Sequence, residues 1–210
     1  IALSAPAGNC INVGADEPCL YPIITALNAG TTTPVAGSSA YSDSLNFAVG
    51  TSYSAPLAAA TAALMLSVQP ALPPADIRRL LQASARPFPN SGGDNGDGTP
   101  VPVCRAPDGS DQLQCYCTTG TCGAGMLDAG AAVQAAQNVV VARIAVTPEA
   151  PLAGQAIELS AATSAVAIGR TIASVHWVIS DAGGIVDGFS SGADALTASA
   201  SNTKATIASA

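Results

Sequence analysis

Gly50-Thr51-Ser52-Tyr53-Ser54-Ala55-Pro56-Leu57-Ala58-Ala59-Ala60 is the stretch on which the reading of this chain turns. A serine preceded by Gly-Thr stands at the start of an apolar helix over residues 54–68. Ala, Leu and Met fill it, Pro56 falls in the first turn where a missing N–H costs little, and Pro70 follows its end. It is apolar on nearly all faces, so a buried helix is expected. A helix N-terminus offers N–H groups without intrahelical partners and a partial positive charge. An oxyanion forming beside Ser52 would be stabilised there, with the Ser52 N–H as a donor. Gly50 lets the backbone turn closely before the helix. An ordinary N-cap serine has the same local sequence, so these residues alone leave both readings open.

Downstream, Pro73-Pro74-Ala75-Asp76-Ile77-Arg78-Arg79-Leu80-Leu81-Gln82-Ala83-Ser84 reads as a second helix. Ile77, Leu80 and Leu81 face inward, Arg78, Arg79 and Gln82 outward, and Pro87 and Pro89 end it. Residues 90–122 form a long Gly/Asp/Cys loop held by its cysteines in place of a core. Gly125-Met126-Leu127-Asp128 reads as a short strand and residues 129–138 as a small Ala-rich helix. Upstream, residues 1–50 are loop-rich: Ile1 to Ser4 end a strand, the turn Pro6-Ala7-Gly8-Asn9 follows, and Gly, Pro, Asn and Thr dominate to Ser44.

The composition shifts near residue 141. Apolar and polar residues then alternate in Ile144-Ala145-Val146, Ile157-Glu158-Leu159, Val175-His176-Trp177-Val178-Ile179 and Ala205-Thr206-Ile207, with turns at residues 148–154 and 181–184. Short strands at this spacing indicate an all-β sandwich.

The chain has 210 residues, 49% of them hydrophobic, which suits one or two domains with a real core and excludes a disordered chain. The longest apolar stretch, residues 55–66, falls short of the ~20 residues of a spanning helix, so no membrane partner is expected. No secretory leader is visible, and the absence of an initiator Met suggests a processed chain or a fragment. Net charge is −7 and Lys204 is the one lysine, with six scattered arginines. Nucleic acid, which needs clustered Lys and Arg, is therefore an unexpected partner.

The six cysteines are Cys10, Cys19, Cys104, Cys115, Cys117 and Cys122. An even count in a Ser/Thr/Gly-rich chain favours disulfides in an oxidising compartment. Paired C-x₂₋₄-C zinc spacing is lacking and no His lies near. Cys10 and Cys19 form an isolated pair. The other four allow three pairings, of which Cys104–Cys115 with Cys117–Cys122 is preferred here.

Residues 50–60 match at every fixed position the nucleophile motif of subtilisin-like serine proteases (subtilases), G-T-S-x-[SA]-x-P followed by small residues. Leu3-Ser4-Ala5-Pro6-Ala7-Gly8 resembles the family's [VL]-x-A-P-G segment. Residues 74–84 resemble the helix that follows the nucleophile helix, and Gly123 to Ala132 resembles the closing G-x-G-x-[LI]-[DN] segment. The resemblance covers residues 1 to about 138, in the family's order. It implies an α/β fold, the C-terminal portion of a three-layer parallel-sheet catalytic domain, over residues 1–140. Residues 141–210 resemble a PKD-type or immunoglobulin-like β-sandwich short of its last strands. The resemblance rests on Pro148-x-x-Pro151-x-x-Gly154-Gln155, Val175-x-Trp177 and Asp181-x-Gly183.

The resemblance implies a serine endopeptidase acting through an acyl-enzyme, with Ser52 as nucleophile and Phe47 and Tyr53 beside the cleft. Its Asp, His and oxyanion Asn precede the A-P-G segment, so they fall outside this chain, which alone is expected to be inactive. The buried helix would then lack much of its cover, and poor solubility is expected. Substrates are polypeptides, no cofactor is required for the chemistry, a structural calcium is compatible, and the cysteines resemble those of secreted bacterial members.

His176, the single histidine, reads as a surface residue of its strand. Asp43 and Asp128 read as loop and closing-segment residues rather than triad members. Residues 93–98, Gly-Asp-Asn-Gly-Asp-Gly, carry oxygen ligands but miss the calcium-loop spacing, so no metal is placed there. Two rival readings stand beside the protease. One is a non-catalytic fragment whose β-domain binds protein or polysaccharide matrix. The other is one half of a nicked protease, completed by a separate N-terminal part.

Overall fold

A computed structural model describes residues 2–8, 23–42, 50–93, 99–110, 112, 114–150, 152, 155–175, 186–191 and 197–202, the last two stretches as backbone. The chain divides into two compact units. Unit 1 is Ile1–Ser67 with Pro73–Ala135, and unit 2 is Val68–Leu72 with Ala136–Ala210.

Unit 1 is built around an internal crossing of three segments. Ser4 bridges Met126 in parallel, and Arg86 bridges Met126 antiparallel. The Ser4 N–H donates to the Gly125 carbonyl at 2.9 Å, and the Leu127 N–H to the Ser4 carbonyl at 2.7 Å. Arg86 and Met126 exchange two bonds of 2.8 Å. These are the two strand fragments expected near residues 1–4 and 125–128. Helix α1, Thr51–Val68, begins three residues before the predicted start. Helix α2, Pro74–Ala83, buries Leu80 and Leu81 and leaves Arg78 and Arg79 exposed. Gln82 departs from expectation: its side chain turns back and donates to the Ala2 carbonyl at 3.2 Å. Helix α3, Thr119–Cys122, is a single turn, and helix α4, Ala129–Gln137, is capped by Asp128, whose Oδ1 accepts the Ala131 N–H at 2.9 Å. Among the described residues of this unit, Met65, Leu80, Leu81, Leu127 and Ala132 are buried and apolar.

The expected burial of α1 is not met. Only Thr61 and Met65 are buried along it, while Leu57, Leu64 and Leu66 are 39%, 53% and 37% exposed. An all-round apolar surface shows that a helix needs cover; it does not show that the same chain supplies the cover. At 18 residues α1 is long and apolar enough to cross a membrane by length and composition alone, as are core helices of soluble proteins and signal sequences.

Residues 23–42, expected as loop, hold a paired hairpin. Strands β1, Thr25–Asn28, and β2, Ser39–Ser42, pair antiparallel. Asn28 organises the connection. Its Oδ1 accepts the Gly30 and Val35 N–H groups at 2.9 and 2.8 Å, and its Nδ2 donates to the Val35 carbonyl at 3.0 Å and Ser39 Oγ at 3.1 Å. An Asx side chain that satisfies three loop groups and one strand hydroxyl substitutes for a tight turn.

The loop around residues 99–122 is held by two disulfides, Cys104–Cys115 and Cys117–Cys122. A parallel bridge joins Val103 to Tyr116. The Tyr116 hydroxyl accepts the Gly93 N–H at 2.8 Å. At the exposed tip, the Ser110 backbone N–H, helped by its side chain and Arg105, holds the Asp108 carboxyl below its usual range.

Unit 2 holds one antiparallel sheet of order β3-β4-β6-β5: β3 Ala145–Thr147, β4 Ala156–Ser160, β5 Val186–Ser191 and β6 Thr197–Asn202. β3 and β4 lie where alternation placed strands. β5 and β6 were not foreseen, and residues 176–179 and 205–207 lie outside the described residues. A sandwich needs two facing sheets; the described residues give this one. Leu72, Ala136, Val141, Ala161 and Ala167 are buried here. Gln69 is fully buried, and its Nε2 donates to the Val139 carbonyl at 3.1 Å. Gln69→Leu should destabilise the protein by about 1–3 kcal/mol, because that carbonyl loses its donor; a urea titration measures it.

Candidate functional site

The segment 2–8 ties two remote parts of the sequence together. Its first half pairs with the closing segment, as above, and the Ser4 hydroxyl also donates to the Cys122 carbonyl at 2.9 Å. Its second half runs against the turn that carries Ser52. The Gly50 N–H donates to the Ala7 carbonyl at 2.6 Å. The Ser54 hydroxyl lies 2.9 Å from the Ala5 carbonyl and 3.2 Å from the Pro6 carbonyl, sharing its one proton between them. The Ala5-Pro6-Ala7-Gly8 and Gly50-Thr51-Ser52 segments are therefore brought into direct contact.

Gly50 has φ +124°, a conformation that L-residues rarely adopt. The chain leaves it straight into α1, and the Tyr53 N–H closes back on the Gly50 carbonyl at 3.0 Å. Ser52 is thereby the second residue of the helix, with its side chain exposed. Its N–H belongs to the first turn, where no carbonyl lies one turn earlier along the helix. A helix end of this kind favours negative charge beside it. Ser52 thus presents an exposed side chain in the first turn of a helix.

Tyr53 is half-buried beside Ser52. Phe47 and Asp43 lie outside the described residues, as do Cys10, Cys19, His176 and the run 94–98. Asp128 is occupied structurally, capping α4 and lying 3.6 Å from the Arg86 guanidinium.

Ser54 was missed as a site-building residue. Its signal was a second hydroxyl two residues after Ser52, on the side of the turn that meets the upstream segment. Ser54→Ala should lower stability by about 1–2 kcal/mol by leaving the Ala5 and Pro6 carbonyls without that donor. Ser54→Thr, which keeps the hydroxyl, should lose less; paired urea titrations distinguish them.

A model of the subtilase family matches residues 1–114, a stretch that includes Ser52 and the segment clamped to it. No curated protein matches the chain.

Proposed function

The chain belongs to the subtilase family, and on that premise we propose that it carries the nucleophile end of a secreted serine endopeptidase. Ser52 Oγ attacks the scissile carbonyl of a polypeptide and forms an acyl-enzyme, which water then hydrolyses. The Ser52 N–H donates to the developing oxyanion from the first turn of α1. Tyr53 and Phe47 flank the cleft. The observation that carries this reading is the exposed Ser52 at a helix start whose preceding turn is fixed to Ala5, Pro6 and Ala7.

A serine hydroxyl is a weak nucleophile until a base takes its proton. In the family that residues 3–8 and 50–60 resemble, the Asp, His and second oxyanion donor precede the A-P-G segment, so they are assigned to polypeptide upstream of it, in the full-length protein or in a separate N-terminal part. The open apolar residues of α1 give that polypeptide a surface to cover. No cofactor enters the chemistry, and calcium is assigned at most a structural role. The two disulfides suit an extracellular setting.

Residues 141–210 are read as a PKD- or immunoglobulin-like module that anchors the enzyme to protein or polysaccharide matrix; the resemblance of residues 148–155, 175–177 and 181–183 to such modules is what supports this reading.

The test is casein hydrolysis. The full-length protein should cleave casein and the purified 210-residue chain should not. Cleavage by the chain alone, abolished by Ser52→Ala, would overturn the assignment of the base to other polypeptide.

A further inference from the structure

The geometry points to a thiol–disulfide exchange centre at Cys104, Cys115, Cys117 and Cys122, open to small thiols and separate from the Ser52 site. Two bridges are present, Cys104–Cys115 and Cys117–Cys122. They are not independent. The Cys104 and Cys117 sulfurs, which belong to different bridges, lie 3.9 Å apart, and the sulfurs of Cys104, Cys117 and Cys122 all fall within 4.8 Å of one another.

Backbone pairing explains why. The Cys104 N–H donates to the Tyr116 carbonyl at 2.9 Å, and the Tyr116 N–H to the Pro102 carbonyl at 2.8 Å. Tyr116 is thus fixed beside Val103 and Cys104, with one cysteine on each side of it in the sequence. Cys104 can bond either neighbour by turning side chains, with the backbone pairing kept. All four cysteines are half-buried, while Thr118, Thr119 and Gly120, between Cys117 and Cys122, are exposed. Cys117 and Cys122 are thus only partly covered, and theirs is the bridge proposed to meet a small thiol.

The exchange balances with one monothiol. Its thiolate attacks Cys122 Sγ, forming a mixed disulfide and breaking the bond to Cys117. The Cys117 thiolate then attacks Cys104 Sγ, forming Cys104–Cys117 and releasing Cys115 as thiolate, which takes the proton the monothiol gave up. The number of disulfides is kept at two, one of them now to the small thiol. Each step is attack of a thiolate on a neighbouring disulfide sulfur. Cys122 becomes an S-thiolation site, and Cys115 a free thiol.

The oxidised chain would be incubated with glutathione, quenched in acid, alkylated with N-ethylmaleimide and mapped by mass spectrometry of its peptides. The expected product carries a Cys104–Cys117 linkage, glutathione on Cys122 and the alkyl mark on Cys115. An alkyl mark on Cys117 with Cys104–Cys115 intact overturns the proposal, as does a chain that keeps both original bridges while glutathione is in excess. Cys122→Ser provides a second reading without added thiol. Both Cys104–Cys115 and Cys104–Cys117 linkages should appear in that variant, with alkylation shared between Cys117 and Cys115. A single Cys104–Cys115 linkage would contradict exchange.

Discussion

Ser52→Ala is expected to lower kcat of the full-length protein on casein by about a millionfold, the scale on which a triad enzyme depends on its nucleophile. KM should change little. The hydroxyl is used for bond formation, so its removal affects the transition state and leaves ground-state binding of the polypeptide largely intact. The fold should also be unaffected, since the Ser52 side chain is exposed. Steady-state kinetics with an unfolding curve of the same sample checks all three points. A variant that keeps a tenth of its activity would remove Ser52 from the mechanism.

Gly125→Ala should have a large effect on folding. Gly125 sits at φ +151°, and an added Cβ would run into the Arg86 carbonyl oxygen and lie 3.1 Å from the Ala85 Cβ. Backbone strain of about 1–3 kcal/mol and overpacking of about 1–3 kcal/mol apply together. Their sum, about 2–6 kcal/mol, is a large fraction of the roughly 5–15 kcal/mol that holds an ordinary domain folded. The damage would fall on the crossing of Ser4, Arg86 and Met126, and through segment 2–8 on the turn that carries Ser52. Gly130→Ala is the control. Gly130 lies in α4, where a Cβ meets nothing closer than Asp128 Oδ1 at 3.6 Å, so alanine should add about 0.5–1 kcal/mol of stability. Urea unfolding should therefore move in opposite directions for the two variants.

The helices were legible because proline and alanine punctuate them. Pro70 follows the end of α1, Pro73 and Pro74 open α2, and the Ala-rich run 129–138 marks α4, whereas Pro56, expected in the first turn, lies inside α1 because that helix starts earlier, at Thr51. What covers a helix was not legible, since the apolar sequence of residues 54–68 states a need without naming its partner. The β1–β2 hairpin escaped because Thr-Ala-Leu-Asn and Ser-Ala-Tyr-Ser carry little strand propensity, and its register depends on one side chain, Asn28, bonding across its loop. β5 and β6 escaped for a related reason: Val-Asp-Gly-Phe-Ser-Ser and Thr-Ala-Ser-Ala-Ser-Asn lack the β-branched alternation that revealed β3 and β4. At the site, the Gly-Thr-Ser motif was readable as a local string. Its contact with Ala5 to Ala7 was not, because it joins residues more than forty apart through carbonyl oxygens that sequence does not display.

The most direct test is labelling with a fluorophosphonate, which reacts with an activated serine, followed by peptide mapping. The account predicts a single label on Ser52 of the full-length protein and no label on the 210-residue chain. A label on another serine, or none on the full-length protein, would contradict the assignment of Ser52 as nucleophile.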